Sequence, residues 1–182
     1  MVHQLRFIFI LLCSIFILSA CQHMPNKTQV LPASQVQYLK QLPLSPIIPI
    51  PVKGIQKQQL TDTWGVARSA GRRHEGIDIM APRGTPVTST TEGIIASLQG
   101  NTLGGNVVWI LGPSGSWHYY AHLLRHKRGL SVGDEIHIGD TIGYVGNSGN
   151  AKHTASHLHY GIYLTGKGRG ATNPFPYLNG DF

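Results

Sequence analysis

The sequence predicts an all-β fold: a single antiparallel domain, built as a β-sandwich or an open barrel. Three observations lead there. From about Val52 to Phe182, short apolar stretches rich in β-branched and aromatic residues recur. Clusters of Gly, Asn, Ser and Pro separate them. No stretch of that region sustains a helical period over three turns, and no internal repeat is present.

In chain order the predicted strands are GIIASLQ (93–99), GNVVWILG (105–112), SWHYYAHL (116–123), DTIGYVG (140–146) and HLHYGIYL (157–164). The turn signals between them are NTLGG, GPSGS, SVGDE and GNSGN. A further strand is expected after HEGIDI, where Gly76 and the β-branched neighbours favour a turn leading into an extended segment over a helix.

The chain before this region reads differently. Arg6 precedes an apolar run from Phe7 to Leu18 and then small residues, the pattern of a secretory signal peptide over residues 1–20. The run is short for a membrane span, which needs roughly 20 residues. Leu18-Ser19-Ala20-Cys21 resembles a bacterial lipobox, so Cys21 is expected to carry lipid and Cys13 to leave with the signal. Gln22 after the cysteine, by resemblance to Gram-negative lipoproteins, favours sorting to the outer membrane, with the protein facing the periplasm. Residues 21–52 are Pro-rich and low in charge, and are expected to form an extended, lipid-anchored tether. At roughly 3.1 Å per residue it would reach about 90 Å. The folded domain is then 53–182.

Fifteen Lys+Arg against eight Asp+Glu make the chain basic. A basic exported protein can bind anionic lipid, nucleic acid or an acidic polymer. Nucleic acid is excluded by the export signal and by charges that are scattered, without aromatic-basic interleaving. The cell wall, whose stem peptides carry carboxylates, is the natural acidic partner, and the membrane is reached through lipidated Cys21.

The candidate chemistry lies in the histidines. A period of two puts His157, His159 and Gly161 on one strand face and Leu158, Tyr160 and Ile162 on a core-facing one. In WHYYAHL the same rule groups His118, Tyr120 and His122, opposite Trp117, Tyr119 and Ala121. His74 and Asp78 bring a nitrogen and a carboxylate within reach of one ion. Zinc takes such ligands at about 2.0–2.2 Å, and catalytic sites keep a fourth position open beside three protein ligands. His74, Asp78 and one histidine of the 157/159 pair would complete the set.

RRHEGIDIMAPRGTPV, YYAHL and GYVGNSGNAKHTASHLHYGIY together resemble the lysostaphin-type (LytM) zinc endopeptidases, which cleave peptide bonds in peptidoglycan. The resemblance runs from about Pro51 to Leu178. It implies a groove on a β fold of the duplicated hybrid motif type, and one Zn²⁺ per domain. It implies that His74, Asp78 and His159 are the metal ligands and that His122 and His157 are catalytic non-ligand histidines. Arg68 lies near a position where some relatives place an oxyanion-stabilising residue, but equally belongs to a basic loop. His118 is expected to line the groove or stand exposed on its strand. His153 departs from the Thr or Gly more common there. Glu75 is expected to point away from the metal.

The expected function is hydrolysis of peptide cross-links of peptidoglycan in the periplasm, remodelling the wall during growth or division. The alternative is a non-catalytic wall-binding regulator that activates a murein amidase or another division protein; a protease of periplasmic proteins is a further rival.

Overall fold

The computed structural model describes residues 31–178. The expected signal peptide, the Leu18–Cys21 motif and the first part of the expected tether lie outside the described residues. Among the described residues one α-helix, α1 (Ala33–Gln41), precedes ten strands. These are β1 (Ile77–Met80), β2 (Pro86–Thr88), β3 (Gly93–Ser97), β4 (Asn106–Leu111), β5 (Trp117–Leu123), β6 (Arg125–His126), β7 (Glu135–Ile136), β8 (Thr141–Tyr144), β9 (His157–Gly166) and β10 (Arg169–Thr172). All five stretches read as strands from the sequence are strands, and every pairing between these ten strands is antiparallel.

The larger sheet runs β1-β9-β5-β4-β3-β7, with β10 also paired to β9; the smaller runs β2-β8-β6. Neither closes into a barrel. The main core lies between them. Ile77, Ile79, Ile95, Val108, Ile110, Leu158, Tyr160 and Ile162 from the large sheet meet Val87 and Ile142 from the small one. Most are completely enclosed, and each buried Ile or Leu contributes roughly 1.5–3 kcal/mol. The alternation read in β9 holds: Leu158, Tyr160 and Ile162 face this core.

The Pro-rich region departs from the expected extended tether. Ala33–Gln41 is helical, with Leu39 buried against Ile94 and Leu111. Ile48, Ile50 and Val52 are buried in the main core. Ile48 bridges Leu178, and Val52 bridges Val87. The physical reason is a period of two hidden by proline. Pro49 and Pro51, the latter itself buried, separate these three residues, and an edge segment needs few backbone donors. The packed part of the chain therefore begins before residue 53.

Candidate metal centre

Antiparallel pairing of β1 with β9 sets Asp78 directly opposite His159. Directly opposed side chains leave the same face of a sheet with Cβ atoms about 4.5–5.5 Å apart. His74 joins them from the turn entering β1. His74 Nε2 lies 2.8 Å from His159 Nδ1 and 3.1 Å from Asp78 Oδ1, and His159 Nδ1 lies 3.2 Å from that same oxygen. Ligand atoms held tetrahedrally at about 2.0–2.1 Å from zinc stand roughly 3.3 Å apart. Two imidazole nitrogens and one carboxylate oxygen at this spacing fit such a cation.

The surroundings fix which atoms face inward. His74 Nδ1 donates to the Thr63 carbonyl at 2.7 Å, so Nε2 carries the lone pair. Gly76 allows His159 its place: a Cβ there would fall 2.8 and 2.9 Å from the His159 ring and 2.5 Å from the Tyr160 carbonyl oxygen. Burial alone would raise the Asp78 carboxyl. Hydrogen bonds and charge from His159 and His74 outweigh it and hold the group well below the usual carboxylate range. Burial lowers His159.

His157 and His122 flank this group. His157 shares the face of His159, and its Nε2 is 3.9 Å from Asp78 Oδ1. Its Nδ1 donates to the Ala155 carbonyl at 2.9 Å. His122 Nδ1 donates to the Ser148 carbonyl at 3.0 Å, and its ring centroid is 5.0 Å from that of His157. Both rings are thus tied at Nδ1 and leave Nε2 for the groove. Burial, reinforced by His159 and His157, pushes His122 down to about 4, so it is neutral near pH 7.

His122 reaches this place by a route that simple alternation does not give. The sequence groups it with His118 and Tyr120, but those two face the opposite way. His118 is fully buried; its Nδ1 lies 2.8 Å from the Tyr160 hydroxyl and its Nε2 3.0 Å from Ser116 Oγ. It neither lines the groove nor stands exposed, and burial pushes it down to about 3. The β4–β5 register shifts between Asn106 and Val108, so Ala121 and His122 together oppose Val107. His122 has φ 60°. This bulge turns both side chains to one face, re-aiming His122 beside Ala121.

The same correction reassigns Tyr119, which sequence reasoning placed away from the histidines. It faces the groove, edge-on to His159 at 5.7 Å and stacked on Trp109 at 4.3 Å. Tyr163 closes this aromatic wall. Burial pushes the Tyr119 hydroxyl up to about 12, so it stays a proton donor. Its cross-strand partner is Gly161, where a Cβ would fall 2.9 Å from the Glu75 carbonyl oxygen and 3.1 Å from the Tyr163 ring.

Arg68, left outside the expected catalytic set, lies on the metal centre: its Nη2 is 2.5 Å from Asp78 Oδ2. His153 is exposed in its loop, and Glu75 is exposed at the groove wall. The groove has a volume of about 700 Å³, and its lining includes all five histidine and aspartate candidates with Arg68, Arg72 and Arg73 at one side.

Comparison with known proteins gives relatives for the sequence and for the fold. The L-Ala–D-Glu endopeptidase of Bacillus subtilis is 36% identical over 138 residues, covering 71% of this chain and 42% of that protein. The peptidoglycan DD-endopeptidase ShyC of Vibrio cholerae is 34% identical over 95 residues, covering 52% of this chain and 21% of its own length. The chain thus spans less than half of these curated relatives. The catalytic domain of the prophage-encoded M23 protein EnpA from Enterococcus faecalis, crystallised as a point mutant, superposes with a TM-score of 0.58 at 29% identity, covering 69% of this chain and 93% of that domain. The described family Peptidase family M23 matches residues 72–174, more than half of the sequence and all of the candidate centre except Arg68. On that match the chain belongs to peptidase family M23, a family of metallopeptidases.

Proposed function

We propose that the protein is a zinc-dependent endopeptidase that hydrolyses peptide cross-links of peptidoglycan. One observation carries the reading: His74, Asp78 and His159 converge to within 3.2 Å beside two unliganded histidines in one open groove. His74 Nε2, Asp78 Oδ1 and His159 Nδ1 would hold the ion. When bound, zinc supplies Lewis-acid polarisation of a carbonyl and makes water nucleophilic near neutral pH.

The chain supplies the rest. His122 and His157 present Nε2 to the groove, where they orient the attacking water, take its proton and return one to the leaving amine. The Ser148 and Ala155 carbonyls hold these rings in the tautomer that leaves Nε2 able to accept. Trp109, Tyr119 and Tyr163 offer an aromatic wall for peptide, while Arg72 and Arg73 complement the carboxylates of stem peptides. Relatives whose names specify endopeptidase action on peptidoglycan support the substrate class. An intact ligand set does not favour a regulator without catalysis. The Leu18–Cys21 sequence supports a lipid anchor and Gln22 after it supports the outer membrane, from which the domain would act in the periplasm during growth or division.

The test is digestion of purified cross-linked muropeptide dimers, followed by mass spectrometry. Zinc-loaded protein should convert dimers to monomers, and chelation should stop it. Dimers left intact by the zinc-loaded wild type, alongside hydrolysis of an unrelated protein substrate, would refute the assignment.

A further inference from the structure

The segment before the first metal motif is a small hairpin. Gly65 and Val66 exchange backbone hydrogen bonds with His74, each 2.9 Å, and Ala67 bridges Arg73. Arg68 N donates to the Arg72 carbonyl at 2.9 Å, across a turn in which Ala70 and Gly71 take φ of 60° and 71°. The hairpin fixes the backbone of Arg68, and its base touches two candidate ligands. The Thr63 carbonyl holds His74 Nδ1 at 2.7 Å, and Thr63 Oγ1 accepts from the Asp78 amide at 3.0 Å.

Arg68 completes the pattern at the Asp78 side chain. The two carboxylate oxygens have separate partners. Oδ1 faces His74 and His159, while Oδ2 accepts from Arg68 Nη2. We propose that Arg68 is a positioning residue of the metal centre: by occupying Oδ2, it keeps Asp78 a one-oxygen ligand through Oδ1. A carboxylate without such a partner can swing to offer both oxygens, adding a ligand where a catalytic site needs an open position. The planar guanidinium suits the task, because it holds a carboxylate in a fixed orientation that a lysine ammonium does not enforce. Arg68 and Asp78 side chains are 35% and 20% exposed, so solvent screens the pair and its role is orientation, with little contribution to stability.

This inference rests on the reading of the site as a zinc centre, and the experiment separates the two. Full-length protein in detergent is titrated with zinc against a chromogenic chelator, for wild type, Arg68→Gln and Arg68→Lys. Each is also loaded with cobalt and its visible absorption recorded. Arg68→Gln should weaken zinc binding about 10–100-fold. Its cobalt bands should lose intensity as coordination rises above four. Arg68→Lys, still able to donate to Oδ2, should fall between wild type and Arg68→Gln in both readouts. Thermal melting of the metal-free proteins should be unchanged. Wild-type zinc affinity and an unchanged cobalt spectrum in Arg68→Gln overturn the inference even if activity falls, since Arg68 would then act on substrate. Should Arg68→Gln not fold, an Arg68→Lys protein indistinguishable from wild type in both affinity and spectrum overturns it equally. A wild type that takes up no zinc removes the zinc reading, and this inference with it.

Discussion

His122 sits at φ 60° within β5 and donates Nδ1–H to the Ser148 carbonyl 3.0 Å away. A non-glycine residue held in the left-handed region costs on the order of 1–3 kcal/mol. The bulge spends that energy to bring one imidazole onto the groove face. His122→Ala should therefore lower kcat by about 10²–10⁴ with zinc content unchanged. His122→Gly should be equally inactive, yet more stable than His122→Ala by roughly 1 kcal/mol, because glycine takes this φ freely. Urea melts and metal analysis of the two variants check both statements.

Gly76 admits the His159 ring. In Gly76→Ala the new Cβ meets that ring and the Tyr160 carbonyl at under 3 Å, and backbone cannot move aside cheaply. Zinc affinity should fall at least about tenfold, as for loss of a supporting contact. Chelator competition measures it. An unchanged affinity would show that β9 shifts to absorb the methyl.

His118 gives the fold an acid-sensitive element away from the groove. Buried and hydrogen-bonded, it is pushed down to about 3 from 6.5. Between those values the unfolded chain binds a proton that the folded one refuses, so unfolding becomes easier as pH drops. Above pH 6.5 no penalty operates, and below about 3 it no longer grows. Each unit of pH within the window costs up to about 1.4 kcal/mol. His118→Gln should flatten the fall in stability from pH 6.5 to 4 by close to one proton. Urea denaturation across that range reads the slope.

Leu39 tests whether the N-terminal segment belongs to the folded unit. It is buried against Ile94 and Leu111. Leu39→Ala should destabilise the domain by about 2–4 kcal/mol, since it opens a cavity between helix and sheet. A change within about 0.5 kcal/mol, typical of an exposed site, would mean that α1 contributes nothing to the fold.

How much of this was legible in the sequence depends on how regular each element is. β9 was readable because its two faces differ sharply, histidines on one and Leu158, Tyr160 and Ile162 on the other. The residues that form the His74, Asp78 and His159 group were named from spacing and family resemblance, and the structure brings them together. β5 misled because a bulge at Ala121 and His122 adds one residue to the period, so His122 leaves the face of His118 and Tyr120 and joins that of Tyr119 and Ala121. Ile48, Ile50 and Val52 were hidden by the prolines between them, which read as a linker when counted by composition. Arg68 was ambiguous because three arginines in one loop look alike until the hairpin selects which one reaches Asp78.

The proposed hydrolysis depends on one cation held by His74, Asp78 and His159. The most direct measurement is a titration of metal-free protein with zinc while cleavage of a cross-linked muropeptide dimer is followed. Activity should rise linearly to one equivalent of zinc and then level, with no response in His159→Ala. Full activity in protein stripped of metal, or the same zinc-dependent rise in His159→Ala, would contradict it.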